Sequence, residues 1–460
     1  MPEKVKIVTL GCAKNEVDSE EIAGVLAGAG YDVDASGKTS DVTIINTCGF
    51  LEASKQESIK AILDAVRAKE LGKTGKVIVA GCLAQRLDAE LMRLAPGADS
   101  YVGVGQMGRF DEVVKQTLAR REQVLDVAPP HHRWADVETR ARTGRPWSAY
   151  LKVGEGCDHK CTFCTIPSFR GGHQSKPIER VLAEANHLAR TGCKEINLIA
   201  QDVTQYGYDL YREFTLPRLL RELNRIDGLE WIRLLYFYPN RLTDEVIETM
   251  ASCEKVVKYI DIPLQHAHPD TLKRMKRPWD GERYLRIFEK VRAAMPEVAI
   301  RTTFIVGFPG ETDTEFDYLL DFMRAARLDR VGAFVYSREP GTPSHDMPDQ
   351  VPFRVKRQRY DRLMTLQQGI STAVNESWIG RELKVLIDGR REGWLVGRSH
   401  RDAPEIDGLV FVDGGAPLGS IVDVKVTSAE PYDLYGRLSL SPPNIRKTVQ
   451  LRQSAPTAPR

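Results

Sequence analysis

Short apolar runs alternate with stretches of helical period through the first 125 residues. The runs at 5–10, 42–46 and 76–80 predict buried strands, and 19–29 and 52–68 predict amphipathic helices between them. Strand–helix–strand spacing of this kind implies right-handed crossovers and a parallel α/β sheet. Residues 128–148, from Pro129, Pro130, His131 and His132 through an arginine-rich stretch to Pro146, hold no period and read as a linker. The alternation then resumes, with strands expected at 150–153, 195–200, 232–236, 259–263, 300–306 and 332–336. Helices are expected at 178–190 and 281–294 among others. Six β/α units over about 200 residues fit a partial version of the eight-unit barrel. A doubly wound open sheet stays open as the alternative, since periodicity does not separate the two. A long polar helix follows Pro352, running to about Ser377. Short strands at 383–387, 394–398, 408–412 and 421–426, punctuated by Gly and Asp, then suggest a small antiparallel β-barrel. The expected division is 1–127 for the amino-terminal α/β domain, 128–148 for the linker and 149–375 for the partial barrel. The small barrel takes 376–442, and 443–460 has the composition of a disordered tail.

Charge narrows the function classes. Among 460 residues, 65 Lys and Arg stand against 63 Asp and Glu, a net of +2, which excludes a chain that coats itself in nucleic acid. No run of 18 apolar residues occurs, and the opening MPEKVKIVTLGC lacks the apolar stretch and cleavage site of a leader. A cytoplasmic location with no membrane association is therefore expected. Eight cysteines are too few for a disulfide scaffold and, in that compartment, point to metal binding or catalysis.

Three of them, Cys157, Cys161 and Cys164, form C-x3-C-x2-C directly after the first predicted barrel strand. Three thiolates within eight residues converge on one metal centre only if the backbone curls around it. Structural zinc usually closes with four ligands, and no adjacent fourth cysteine is present. An iron–sulfur cluster with one iron open to an outside ligand is the better reading. Zinc completed by His159 or His173 is the alternative. Cys12, Cys48 and Cys82 are dispersed, yet each lies just beyond a predicted strand, and their spacings of 36 and 34 residues match one β–α–β repeat. Ligands gather at the carboxyl edge of an open parallel sheet, so these thiols make a second three-cysteine site. Singly, each would pass for a small buried residue. Cys193 and Cys253 have no partner in sequence and read as packing residues.

Functional side chains of a β/α barrel belong at the carboxyl ends of its strands. Those ends carry Gln201 and Asp202, Tyr236 and Tyr238, Gln265 and His266, and the turn of Gly307, Pro309, Gly310 and Glu311. Such polar groups and close-approaching backbone suit a nucleoside-like cofactor, while His266 and His268 read as surface-loop residues, with metal ligation as the alternative. Over 375–440, eight basic and eleven acidic residues leave a net of 8 − 11 = −3. An acidic barrel is a poor RNA clamp and better matched to a basic protein.

With these residues assembled, the chain resembles the methylthiotransferases of the radical S-adenosylmethionine superfamily, nearly end to end. The matching stretches are YLKVGEGCDHKCTFCTIP, EINLIAQDVTQYG, YIDIPLQHAHPDTLKRMKRP, RTTFIVGFPGET and DAPEIDG, and the last domain resembles a TRAM barrel. The one departure is Lys176, where SFRGGHQSKP would usually carry Arg. The resemblance implies two [4Fe–4S] clusters, one on Cys157, Cys161 and Cys164 and an auxiliary one on Cys12, Cys48 and Cys82. It implies S-adenosylmethionine chelated at the open iron of the first, with Phe163 near its adenine, and Gln201, Asp202, Gly307, Pro309, Gly310 and Glu311 as cofactor-binding candidates. Reductive cleavage would yield a radical that takes hydrogen from an unactivated carbon, which no side-chain base can do. The branch most resembled places a methylthio group on the β-carbon of an aspartate in the twelfth small-subunit ribosomal protein, alone or in the ribosome. A reductant protein would supply the electron. The tRNA-adenosine branch shares both cysteine trios and stays open, with tRNA as its partner.

Overall fold

Six strands, Lys4–Thr9, Asp32–Val33, Ser40–Thr47, Thr74–Gly81, Ser100–Val102 and Val124–Asp126, form the first sheet of this computed structural model. It describes residues 2–33, 37, 39–132, 134 and 140–439. Every pairing in that sheet is parallel, and the strands lie in the order 2-1-3-4-5-6 counted along the chain. Ile44, Ile45, Val77, Ile78 and Val79 are wholly buried, the double-sided burial that makes a central parallel strand a continuous apolar run. The three short strands escape a pattern search because two or three residues cannot display alternation. Register sets Thr9 beside Asn46 and Thr47 beside Gly81, so three neighbouring strands end level with one another.

The second unit is built from Ser148–Lys152, Glu195–Ile199, Trp231–Leu234, Tyr259–Asp261, Ala299–Val306 and Arg330–Val335. They form two parallel three-stranded ladders. The ladders are linked by Ile232 N–H donating to Lys255 O at 2.7 Å and Phe237 N–H to Asp261 O at 2.8 Å. The strands are neighbours in chain order with no reversal, which decides for the partial barrel over the doubly wound sheet.

The helix Phe353–Glu376 leads to five strands, Glu382–Arg391, Trp394–Ser399, Val410–Asp413, Ile421–Ala429 and Leu434–Leu438, closed into a barrel. Four pairings are antiparallel, as expected, but Val410–Asp413 and Leu434–Leu438 run parallel. A ring with an odd number of strands cannot alternate direction all the way round, so one parallel pair is unavoidable. The DAPEIDG segment does not stand out as an acidic surface. Asp402 pairs with Arg330 at 2.9 Å, and Asp407 accepts from Tyr259 Oη at 2.6 Å and pairs with Arg301 at 3.4 Å. Part of the acidity counted toward a basic partner is therefore spent inside the molecule.

The 128–148 segment is also tied down where it is described: Arg140 bridges Glu20 and Glu184 at 2.5 and 2.7 Å. The segment 443–460 lies outside the described residues. Among the described residues no helix is long and apolar enough to cross a membrane.

Candidate active site between two sheet edges

The carboxyl edge of the first sheet faces the carboxyl ends of the barrel strands. On one side the contacts come from Lys14, Asn15, Cys82 and Arg86, each just past a strand. On the other they come from Arg170, Ala200 and Glu339, past barrel strands or in the cysteine segment.

The dispersed cysteines meet at the first of these edges. Cys12 caps the helix Ala13–Gly28, Cys48 follows Ser40–Thr47, and Cys82 opens the helix Cys82–Leu87. Gly11 has φ +99°, and a Cβ there would stand 2.7 Å from Cys48 Cβ and 3.0 Å from its Sγ, so only glycine lets the two loops touch. Asn15 and Asn46 lock the edge: Asn15 Nδ2 donates to Leu10 O at 2.7 Å and Thr47 O at 3.0 Å, and Asn46 Nδ2 donates to Asn15 O at 2.9 Å. Cys12 is exposed while Cys48 and Cys82 are buried. Burial pushes the Cys82 thiol up to about 12 against the pull of Arg170, with Cys12 and Cys48 adding to the rise.

The C-x3-C-x2-C loop curls as its spacing requires. Cys157 N–H donates to Gly171 O at 3.0 Å, Cys164 N–H to Cys161 O at 3.1 Å, and Ile166 N–H to Cys164 Sγ at 3.4 Å. A Cβ on Gly156, whose φ is +73°, would lie 2.0 Å from Gly172 O. Burial raises the Cys157 and Cys164 thiols to about 12. Arg277 lies 3.7 Å from Cys161 Sγ and 4.2 Å above the Tyr238 ring.

Each of the two histidines offered as completing a zinc site has one ring nitrogen in a contact of its own, while His173 Nδ1 is buried without a partner. His159 Nε2 lies 2.7 Å from Asp202 Oδ2 with its ring stacked on Tyr238, and His173 Nε2 lies 3.1 Å from Ser175 Oγ. A single zinc at a bond length of about 2.3 Å would draw its ligand atoms to about 3.8 Å from one another. Among the described residues, only His268, Asp270 and Glu315 bring three such atoms within 4.8 Å, and Glu315 there is already held by Arg274 at 2.7 Å. Three cysteines per trio, set wider than one ion needs, are a donor set that fits an iron–sulfur cluster.

The other anticipated residues are distributed as follows. Phe163 packs edge-on to Phe308, centroids 6.5 Å apart. Asp202 Oδ1 accepts from Thr204 N–H at 2.9 Å, so its carboxylate braces a turn. Gln201 donates weakly to Glu155 at 3.4 Å, and its Oε1 is buried with no partner. Glu311 turns inward: its carboxylate accepts from Gly307 N–H at 2.9 Å and from Arg359 at 2.8 Å, and burial raises its pKa to about 7. Gly307 and Gly310 have φ of +73° and +75°, and Pro309 lies between them. His266 corrects the surface-loop expectation, being fully buried 3.6 Å from Glu311. Cys193 and Cys253 are buried packing residues.

Sequence reasoning missed Arg170. Its helix, Ile166–Arg170, follows Cys164 directly, yet its guanidinium reaches the other trio. It donates to Cys82 Sγ from Nε at 3.2 Å and Nη2 at 3.1 Å, and to Asn15 Oδ1 at 2.7 Å. It also pairs with Asp18 at 3.1 Å and Glu155 at 2.5 Å. Lys152 is buried beside it against Asp18.

Residues 151–323 match the Radical SAM superfamily, 4–103 match Uncharacterized protein family UPF0004, and 379–438 match the TRAM domain. Among curated proteins, the Ribosomal protein uS12 methylthiotransferase RimO of Moorella thermoacetica is 48% identical over 95% of this chain and 100% of its own. The RimO proteins of Symbiobacterium thermophilum and Geobacter sulfurreducens are each 45% identical over 95% of this chain, covering 91% and 98% of theirs. The chain belongs to the RimO methylthiotransferase family. Membership makes it a radical S-adenosylmethionine enzyme, with a [4Fe–4S] cluster and S-adenosylmethionine implied. The fold is shared with the radical S-adenosylmethionine methyltransferase TsrM of Kitasatospora setae, at TM-score 0.57 and 15% identity over 75% of this chain and 74% of that one. It is shared also with the cobalamin-dependent radical enzyme OxsB, at TM-score 0.50 and 12% identity over 80% and 56%.

Proposed function

We propose that this RimO-family enzyme attaches a methylthio group to the β-carbon of an aspartate in ribosomal protein uS12, in the cytoplasm, using two [4Fe–4S] clusters. The observation that carries the two-cluster reading is the pair of cysteine trios on facing carboxyl edges, joined by Arg170. The substrate is taken from the RimO relatives, which match almost the whole chain.

Cys157, Cys161 and Cys164 would hold one cluster, and Cys12, Cys48 and Cys82 the auxiliary one. Bound there, the first would supply one-electron reduction of S-adenosylmethionine, its electron coming from a reductant protein. The chain's own residues do the positioning. Arg277 sets a cation beside Cys161 and over Tyr238, where it would offset the negative charge of thiolates ligating a cluster. Phe163, Phe308 and Tyr336 wall the site with aromatic surface and exclude water. Gly307 and Gly310 bring backbone close where a nucleoside would lie, while Glu311 and Arg359 keep that turn rigid. Arg170 fixes the distance between the edges, which orients a guest side chain held between them.

The experiment is to offer reconstituted enzyme uS12 and tRNA separately. A mass gain corresponding to one methylthio group on uS12 is expected. Modification of tRNA with uS12 untouched would overturn the assignment.

A further inference from the structure

Lysines are almost never fully buried unless paired. Lys152, Lys176 and Lys55 obey this, facing Asp18, Glu184 and Glu339; Lys356 makes no ion pair among the described residues, donating to Tyr336 O at 3.1 Å, but it feels the Glu311 carboxylate. Lys14 does not obey it. It is 7% exposed, and no carboxylate among the described residues lies within ion-pair distance. Its ammonium donates once, to Ala200 O at 3.2 Å, and rests 3.8 Å above the Tyr236 ring. An ammonium has three donors, so this one keeps capacity for an anion.

Position says which anion. Lys14 is two residues past Cys12, the exposed cysteine of its trio, and its Nζ reaches the carboxyl end of the barrel strand Glu195–Ile199. It therefore sits between the two edges. Tyr236 is held beneath it at φ +68°, a conformation costly for a tyrosine, by its own N–H donating to Asp261 Oδ2 at 3.0 Å. Next to Ala200, Gln201 Oε1 is buried without a donor. A cation with donors to spare at this strand end complements a carboxylate, the side chain of an acidic residue in a peptide.

We propose that Lys14 binds the side-chain carboxylate of the substrate residue and so selects an acidic residue as the target. This rests on the uS12 reading above and specifies how that substrate is recognised.

The test uses the reconstituted holoenzyme and uS12 with aspartate or asparagine at the target position. A charge-assisted hydrogen bond of this type is worth roughly 10- to 100-fold in affinity. Wild-type enzyme should bind the asparagine form that much more weakly. Lys14→Gln should weaken the aspartate form by a similar factor, appearing in KM more than in kcat, and bring the two forms level. Lys14→Arg should restore the preference. Equal binding of both forms by wild type, or an undiminished aspartate preference in Lys14→Gln, would overturn the inference. Because the asparagine substrate is tested on unaltered enzyme, a misfolded variant does not decide the matter. Wild-type enzyme that leaves uS12 unmodified would instead overturn the substrate reading, and this inference with it.

Discussion

Replacing Arg170 with Gln tests the joint between the two edges. The Arg170 side chain is 2% exposed and satisfies Asp18 and Glu155, themselves 1% and 2% exposed. Asp18 retains Lys152 after the change. Glu155 is left with no cation at ion-pair distance among the described residues, and its carboxyl, now held well below the usual range chiefly by Arg170 against the cost of burial, must rise. Breaking a buried pair from one side costs about 3–5 kcal/mol. The sign with pH follows from the depressed value. Glu155 contributes stability that is present above its unfolded pKa of about 4.3 and is lost as pH falls below it. The wild-type advantage should therefore be about 3–5 kcal/mol at pH 7.5 and shrink below about pH 4. Urea unfolding followed by circular dichroism at both pH values measures it. Arg170→Met combined with Glu155→Gln should recover most of the loss, since replacing both partners avoids the stranded charge. A single-variant loss under about 1 kcal/mol at pH 7.5, or a loss independent of pH, would refute the reasoning.

Cys161→Ala should abolish cleavage of S-adenosylmethionine, whereas Cys48→Ala should leave cleavage running without methylthiolation; product analysis by chromatography separates the two. Gly11→Ala forces a Cβ to 2.7 Å from Cys48 Cβ at φ +99° and should cost the amino-terminal trio its iron while sparing the other, read as iron per chain. His132 is held neutral, its pKa lowered to about 3 by burial and then by Lys152. Its stability contribution is present above the unfolded value of about 6.5 and is lost as pH falls, so His132→Asn should flatten the loss of stability between pH 7 and 5. An unchanged slope would count against that burial.

The cysteines were legible because the chemistry demands spacing: three thiols in eight residues, and three more one β–α–β repeat apart. The strand ends follow from the same regularity, so the places of Gln201, Tyr236 and Glu311 just past barrel strands were legible from position alone. What stayed hidden is polar burial. The first helix begins at Ala13, six residues ahead of the periodic stretch, because Lys14, Asn15 and Asp18 are buried against the barrel rather than solvated. A helix face of Lys, Asn and Asp reads as surface until its partners are known. Arg170 and Lys152 were invisible for the same reason, since their acceptors lie more than 100 residues away in Asp18. The net charge of the last barrel misled in reverse, since Asp402 and Asp407, counted toward an acidic surface, are taken up by Arg330, Arg301 and Tyr259.

The two-centre account is tested most directly by counting iron and acid-labile sulfide after anaerobic reconstitution. About eight of each per wild-type chain is expected, falling to about four in Cys48→Ala and, independently, in Cys161→Ala. About four in wild type, unchanged by Cys48→Ala, would contradict it.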